Sequence, residues 1–211
     1  MPNPKGQFDI KNGIFYEFCL KAQQDPQNKY FFIIDEINRG NLSKIFGELM
    51  MLIECDKRGK DFKISLTYRQ EEDEKFYIPE NLYFIGTMNT ADRSLAMVDY
   101  ALRRRFSFID IEPAFLTESF RTHLKNNGID EEYIDKAVEV MEKLNETITE
   151  DNKNLGKGYR IGHSYFCSKP LKNETSEKWY NRIIKFEIKP LIFEYWFDDE
   201  ETAEEQYQAL L

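Results

Sequence analysis

The chain of 211 residues carries 38 acidic against 29 basic side chains, for a formal charge of -9 and a pI near 5.0. That length buries a sizeable core in one large domain or two small ones, and the acidic balance argues against an extended electrostatic footprint on DNA or an anionic membrane. No apolar run reaches membrane-spanning length and Met1-Pro-Asn-Pro-Lys-Gly-Gln lacks a hydrophobic leader, so the expected location is cytoplasmic, with no membrane partner.

Residues 13–22 read as a short helix with Ile14, Phe15, Phe18 and Ala22 near one face. Tyr30-Phe-Phe-Ile-Ile-Asp35 follows, apolar at every position up to the carboxylate, which predicts a parallel strand buried on both faces. Ligands of such sheets gather at the carboxyl ends of the strands, where Asp35 and Glu36 stand. Beyond the Asn38-Arg-Gly-Asn41 turn, Leu42, Ile45, Phe46, Leu49, Met50 and Ile53 recur at helical spacing, with Asn41 as the expected N-cap. Alternation in residues 64–68, a charged stretch at 69–75 and an extended run at 76–79 predict a two-stranded hairpin. Asn81-Leu-Tyr-Phe-Ile-Gly-Thr-Met-Asn89 is a second buried strand, ending on an amide. A short helix over 95–102 runs into Arg103-Arg-Arg105, and Phe106-Ser-Phe-Ile-Asp110 is a third expected strand.

After Pro113 the pattern becomes helical. Helices are expected over 116–126 and 131–147, the second striped by Ile134, Ala137, Val138, Met141 and Leu144. A glycine-punctuated connection spans 154–166, a helix over 174–195 is expected to bend or break near Pro190, and the acidic residues 198–205 read as a solvated surface. The expected division is an α/β core over 1–112 and a helical lid over 113–211. Cys19, Cys55 and Cys167 are odd in number and widely spaced, so neither a disulfide framework nor a zinc site is implied; they read as reduced thiols.

Neighbouring parallel strands lie about 4.8 Å apart, so the carboxylate pair ending one strand and the amide ending the next converge on one water molecule. In such a site Asp35 holds a hydrated Mg²⁺, an ion that dehydrates reluctantly, Glu36 orients and polarises the attacking water, and Asn89 fixes that water against a γ-phosphate. The plain alternative is a turn-initiating Asp-Glu pair with a capping Asn. Arg103, Arg104 and Arg105 end a helix, where cations complement the dipole; three in succession exceed that need, and an arginine supplied across a subunit interface neutralises charge developing on the γ-phosphate.

Taken together, Asp35-Glu-Ile-Asn-Arg-Gly-Asn41, Thr87-Met-Asn-Thr-Ala-Asp-Arg-Ser94 and Ala101-Leu-Arg-Arg-Arg-Phe-Ser-Phe108 resemble the McrB-like branch of the AAA+ nucleotide hydrolases. The resemblance runs from about Gly13 to Glu194-Tyr-Trp-Phe-Asp198. It implies an α/β fold with a partial AAA+ parallel sheet (equivalents of strands 3, 4 and 5), flanking helices, a β-hairpin insertion and a C-terminal helical lid. Asp35 and Glu36 become the Walker B pair, Asn89 sensor 1, Arg104 and Arg105 the arginine fingers, and Asp92 and Arg93 part of the loop that marks the branch. The implied cofactors are Mg²⁺ and GTP, or ATP. The implied partners are further copies in a homo-oligomeric ring, an McrC-like nuclease subunit, and DNA reached through a separate N-terminal domain. Gly162-His-Ser-Tyr-Phe166 also resembles the branch, with His163 and Arg160 open between a sensor 2 role and lid packing. The family's phosphate loop, G-x-x-x-x-G-K-[ST], occurs nowhere in the 211 residues. In the family strand order 5-1-4-3-2, the strand over 106–110 is therefore left without its direct neighbour. Little hydrolysis is expected from this chain alone. A non-catalytic assembly or regulatory chain donating arginine fingers to intact partners is the alternative.

Overall fold

A computed structural model describes residues 11–67, 75–91 and 103–211. The expected hairpin turn at 68–74 and the loop and helix at 92–102, with Asp92 and Arg93, lie outside the described residues. The chain divides into two compact units, Met1–Phe108 and Ile109–Leu211.

In the first unit α1 (Ile14–Gln24) precedes β1 (Tyr30–Ile34), and α2 (Leu42–Phe46) continues into a 3-10 helix (Gly47–Ile53). The short strands β2 (Ile64–Ser65) and β3 (Lys75–Phe76) pair antiparallel as the two arms of the expected hairpin, and β4 (Leu82–Gly86) lies parallel to β1. The register sets Tyr30 opposite Leu82 and Ile34 opposite Gly86. This adjacency is the one that the resemblance implied for strands 3 and 4. Phe15 on α1 meets the rings of Phe32, Phe46 and Phe84 at 5.0, 5.5 and 5.6 Å, so an aromatic cluster fills the space between helix and sheet. Asn81 donates to the carbonyls of Ala22, Asp25 and Asn28 at 3.0, 3.0 and 2.8 Å, tying the end of α1 and the following turn to the start of β4.

Three expectations meet a different outcome. Burial on both faces holds for one face only: Phe31, Ile33, Tyr83 and Ile85 on the other are 51, 65, 39 and 45% exposed. The continuous helix expected through Ile53 breaks after Phe46, because Gly47 adopts φ 48° and ψ -121°, a conformation open to glycine and costly for any L side chain. The 3-10 helix that follows turns Met50, Leu52 and Ile53 inward and leaves Ile45 outside. The third strand is not formed: residues 107–110 pair with no strand among the described residues, and Phe108 and Ile109 are 50 and 86% exposed. A strand is stabilised by a neighbour that takes its backbone donors and acceptors, and none lies beside this one among the described residues. Asn41 does cap α2, its Oδ1 accepting from Lys44 N at 2.9 Å. At the foot of the hairpin, Thr67 N donates to Glu48 Oε1 at 2.7 Å and its hydroxyl to Oε2, bonds that hold the Glu48 carboxyl below its usual range.

The second unit is helical, with α3 (Glu118–Asn126), α4 (Glu131–Glu150), α5 (Ser176–Ile183), a π-helical turn (Ile184–Ile188), α6 (Lys189–Tyr195) and α7 (Glu200–Gln208). Helix α3 stops in a Schellman arrangement: Gly128 at φ 84° donates to Lys125 O, and Ile129 donates to Leu124 O while both side chains are buried. The α4 stripe is buried as the spacing required, and it packs in one core with Phe115, Phe166, Trp179 and Tyr180. Pro190 does not end the helix. The wider π turn before it absorbs the missing donor and the ring's bulk against the preceding turn, so the helix continues as α6. The acidic residues of 198–205 are exposed, as expected of a solvated surface, and they lie on or just before α7, a helix capped by Asp199 that buries Ala203 on its other face. No helix among the described residues is long and apolar enough to cross a membrane.

Asn145 is the one amide within the buried α4 stripe. It donates to Ile161 O at 3.0 Å and accepts from Ile161 N at 2.7 Å, clamping the glycine-punctuated connection to the helix. Asn145→Ala leaves both backbone groups of the buried Ile161 without partners and is expected to destabilise the lid by roughly 2–4 kcal/mol. The check is a urea titration of the whole chain; a midpoint equal to that of the unaltered protein would show that the clamp contributes nothing.

Candidate functional site

The carboxyl ends of β1 and β4 are joined beyond the last sheet residues. Thr87 N donates to Ile34 O at 3.0 Å and Ile37 N to Thr87 O at 2.8 Å, extending the ladder across the exit of both strands. The Thr87 hydroxyl donates to Asp35 Oδ1 and accepts from Glu36 N at 3.1 Å. One side chain on β4's extension therefore orients the Asp35 carboxylate and fixes the peptide that carries Glu36.

Glu36 has φ 50° and ψ 50°, the left-handed region that non-glycine residues seldom occupy. Such backbone persists where surrounding bonds over-determine it and is concentrated at functional sites. The reversal brings the Glu36 side chain over Arg39, whose Nε lies 2.6 Å from Oε2. Both side chains are about half exposed, so the pair orients Glu36 and contributes little to stability. Gly86 allows the close packing at this corner, because a Cβ there would stand 2.6 Å from Ile37 Cδ1.

Asn89 is drawn into the same corner. Asn38 Nδ2 donates to Asn89 O at 3.3 Å, and Asn89 Oδ1 accepts from Ala91 N at 3.0 Å. With that oxygen engaged by backbone, the Asn89 NH₂ is the end of the amide able to donate to a phosphate or water. Asn38 Oδ1 is buried there with no hydrogen-bond partner among the described residues. Asp35, Glu36 and Asn89 are thus brought to one end of the sheet; Thr87, to which sequence reasoning gave no role, joins the first two, and Asn38 holds the third.

Arg104 and Arg105 are gathered elsewhere, on Glu54. Arg105 Nη2 lies 2.7 Å from Glu54 Oε1 with its side chain 7% exposed; Arg104 Nη2 lies 3.8 Å from the same oxygen with its side chain 64% exposed. Within the second unit His163 Nδ1 accepts from Ala114 N at 3.0 Å and its ring stands edge-on to Phe115 and Phe120, a packing position. Arg160 and Lys157 both engage Glu112 and hold its carboxyl below the usual range. Among the described residues no three His, Cys, Asp or Glu side chains gather in a metal-binding group. The cysteines are free, and burial pushes the Cys19 thiol up to about 12.

A carboxylate braced by a hydroxyl, a neighbouring carboxylate on a strained turn and an amide donor make a surface that can orient water beside a phosphate. A hydrated cation bound through one carboxylate and substrate phosphates fits this donor set; a cage of protein ligands alone does not.

Comparison with known proteins separates the two units by family. Residues 5–106 match the family described as AAA domain (dynein-related subfamily), and residues 136–204 match McrB, alpha-helical lid domain. The chain is 56% identical over 200 residues to the Type IV methyl-directed restriction enzyme EcoKMcrB subunit of Escherichia coli (strain K12), a match covering 94% of this chain and 43% of that protein. It is 30% identical over 118 residues to the Type II restriction enzyme BsuMI component YdiS of Bacillus subtilis (strain 168), covering 52% of this chain and 34% of that protein. The chain thus spans less than half the length of either relative.

Proposed function

The chain belongs to the McrB family, with an AAA+ core segment followed by the McrB lid, and on that premise we propose that it forms the Walker B, sensor 1 and lid portion of a GTP-hydrolysing motor in a modification-dependent restriction system. The observation that carries this reading is the Thr87 junction, which sets Asp35 and Glu36 at one sheet end beside the strand that leads to Asn89.

In this reading Asp35 holds Mg²⁺ through its water shell. The ion, when bound, supplies charge neutralisation at the phosphates. Glu36, with Oε2 taken by Arg39, uses its other oxygen to orient and polarise the attacking water. Asn89 donates from its NH₂ to that water or to the γ-phosphate. Arg104 and Arg105 belong to the site of the next subunit in a ring of identical chains. The phosphate-gripping loop is supplied from outside these 211 residues, and without it hydrolysis by this chain is slight. An McrC-like nuclease subunit stimulates turnover and cuts DNA, which a separate N-terminal domain reads. GTP is taken ahead of ATP on the family's pattern. The open position of the Arg104 side chain also favours a second reading, in which the chain hydrolyses nothing and lends arginines to intact partners.

The test joins the chain to a segment bearing G-x-x-x-x-G-K-[ST] and measures GTP and ATP turnover with and without an McrC-like subunit. Turnover is expected from the joined form, favouring GTP and rising with the nuclease subunit. A joined form that hydrolyses neither nucleotide overturns the reading, and stimulation of an intact partner by that form would establish the second.

A further inference from the structure

We propose that Glu54 is the positioning residue of the arginine finger: it locks Arg105 in place as an anchor and thereby presents Arg104 to the nucleotide of the adjoining subunit. The assignment rests on the proposed trans hydrolysis and divides between two residues a role that the sequence leaves shared.

The two arginines are unequal. Arg105 is nearly buried with a 2.7 Å ion pair, whereas Arg104 is mostly exposed and reaches the same carboxylate oxygen only at 3.8 Å. A guanidinium that must stabilise charge on a neighbouring phosphate has to leave its own surface, which the nearly buried Arg105 cannot do without breaking its 2.7 Å pair with Glu54. Arg104 is free of that constraint. Lys57 Nζ also faces Glu54, 3.6 Å from Oε2, so one carboxylate stands among three cations.

Glu54 is itself held firmly. It directly follows the 3-10 helix at Ile53, and Arg58 donates from Nη2 and Nε to Ile53 O at 2.7 and 3.3 Å while donating from Nη1 to Leu82 O on β4 at 2.6 Å. The strand that leads to Thr87 and Asn89 is therefore also the support from which Glu54 projects. An ion pair serving stability alone needs no second arginine on the same oxygen and no brace to the sheet; a finger that must meet a phosphate within a fraction of an ångström needs both.

The experiment uses the full-length ring-forming protein carrying this segment and compares Glu54→Ala, Glu54→Gln and Arg104→Ala, each alone and each mixed with Glu36→Gln subunits. Glu54→Ala is expected to lower kcat for GTP by about 10²-fold with KM unchanged, as misplacement of a catalytic group does. Mixing it with Glu36→Gln is expected to restore turnover, because the Glu54 variant keeps an intact nucleotide face and lacks only the donor side. Glu54→Gln keeps the side-chain shape and is expected to follow the same pattern with a smaller loss, so a folding defect of the Ala variant does not decide the outcome. Full activity in both Glu54 variants beside an inactive Arg104→Ala overturns the positioning role and leaves the hydrolysis reading intact, as does a Glu54 loss that mixing fails to restore. Full activity in Arg104→Ala overturns both.

Discussion

Arg104→Ala is expected to slow nucleotide turnover by the assembled motor about 10³-fold or more, the scale of removing an arginine finger, while leaving nucleotide affinity and assembly in place. The side chain stands open to solvent and, among the described residues, makes one loose contact with Glu54, so truncation removes little core packing. On the proposed trans arrangement, what it removes is positive charge at a phosphate belonging to the neighbouring subunit. The decisive measurement mixes Arg104→Ala subunits with Glu36→Gln subunits. Each preparation alone is inactive, the first for want of a donor at every interface and the second for want of a polarising carboxylate. In mixed rings some interfaces unite the intact Glu36 of one subunit with the intact Arg104 of the other. Turnover returning on mixing is the expected result. No return would mean that Arg104 acts within its own subunit, and the trans assignment would fall.

Glu36→Gln is expected to cost about 10²- to 10⁴-fold in turnover, the range for loss of a positioned general base, with nucleotide still retained. Gln has the same shape, keeps an oxygen to accept from Arg39 and leaves the left-handed turn supported by the Thr87 bond to the Glu36 peptide. On the proposed role, the change is therefore confined to the loss of negative charge beside the attacking water. Equal turnover by Glu36→Gln and the unaltered protein, measured at saturating GTP, would sink the role given to Glu36. Weakened nucleotide binding without a fall in kcat would reassign the residue to binding.

Much of this arrangement was legible in the sequence, and the exceptions share a cause. The strands at 30–34 and 82–86, the Asn41 cap and the α4 stripe follow from local pattern: apolar runs, a short polar side chain at a helix start, apolar residues at helical spacing. The break at Gly47 escaped because apolar spacing continues through it, and a positive φ there leaves no mark on hydrophobic periodicity. Helix α7 was hidden by its acidic composition, although Asp199 three residues ahead of Thr202, with Ala203, Tyr207 and Leu210 at helical spacing, signalled a capped amphipathic helix. Thr87 and Glu54 could not be read at all. The first matters because the register sets Ile34 opposite Gly86, bringing the next residues, Asp35 and Thr87, face to face; the second because two distant segments meet at one carboxylate. Register and long-range meeting are tertiary facts, and the composition of neither segment encodes them.

The Thr87 hydroxyl has a single proton, given to Asp35, and a lone pair engaged by the Glu36 amide. Its rotation is thereby fixed, and the Asp35 carboxylate and the Glu36 peptide share one partner. A sliding of β4 along β1 would pull the Asp35 acceptor and the hinge at Glu36 together, in one direction and by similar amounts. Mechanically the two strand ends are pinned together at Thr87, so a load borne by the strands reaches the Asp35 carboxylate and the Glu36 backbone at once.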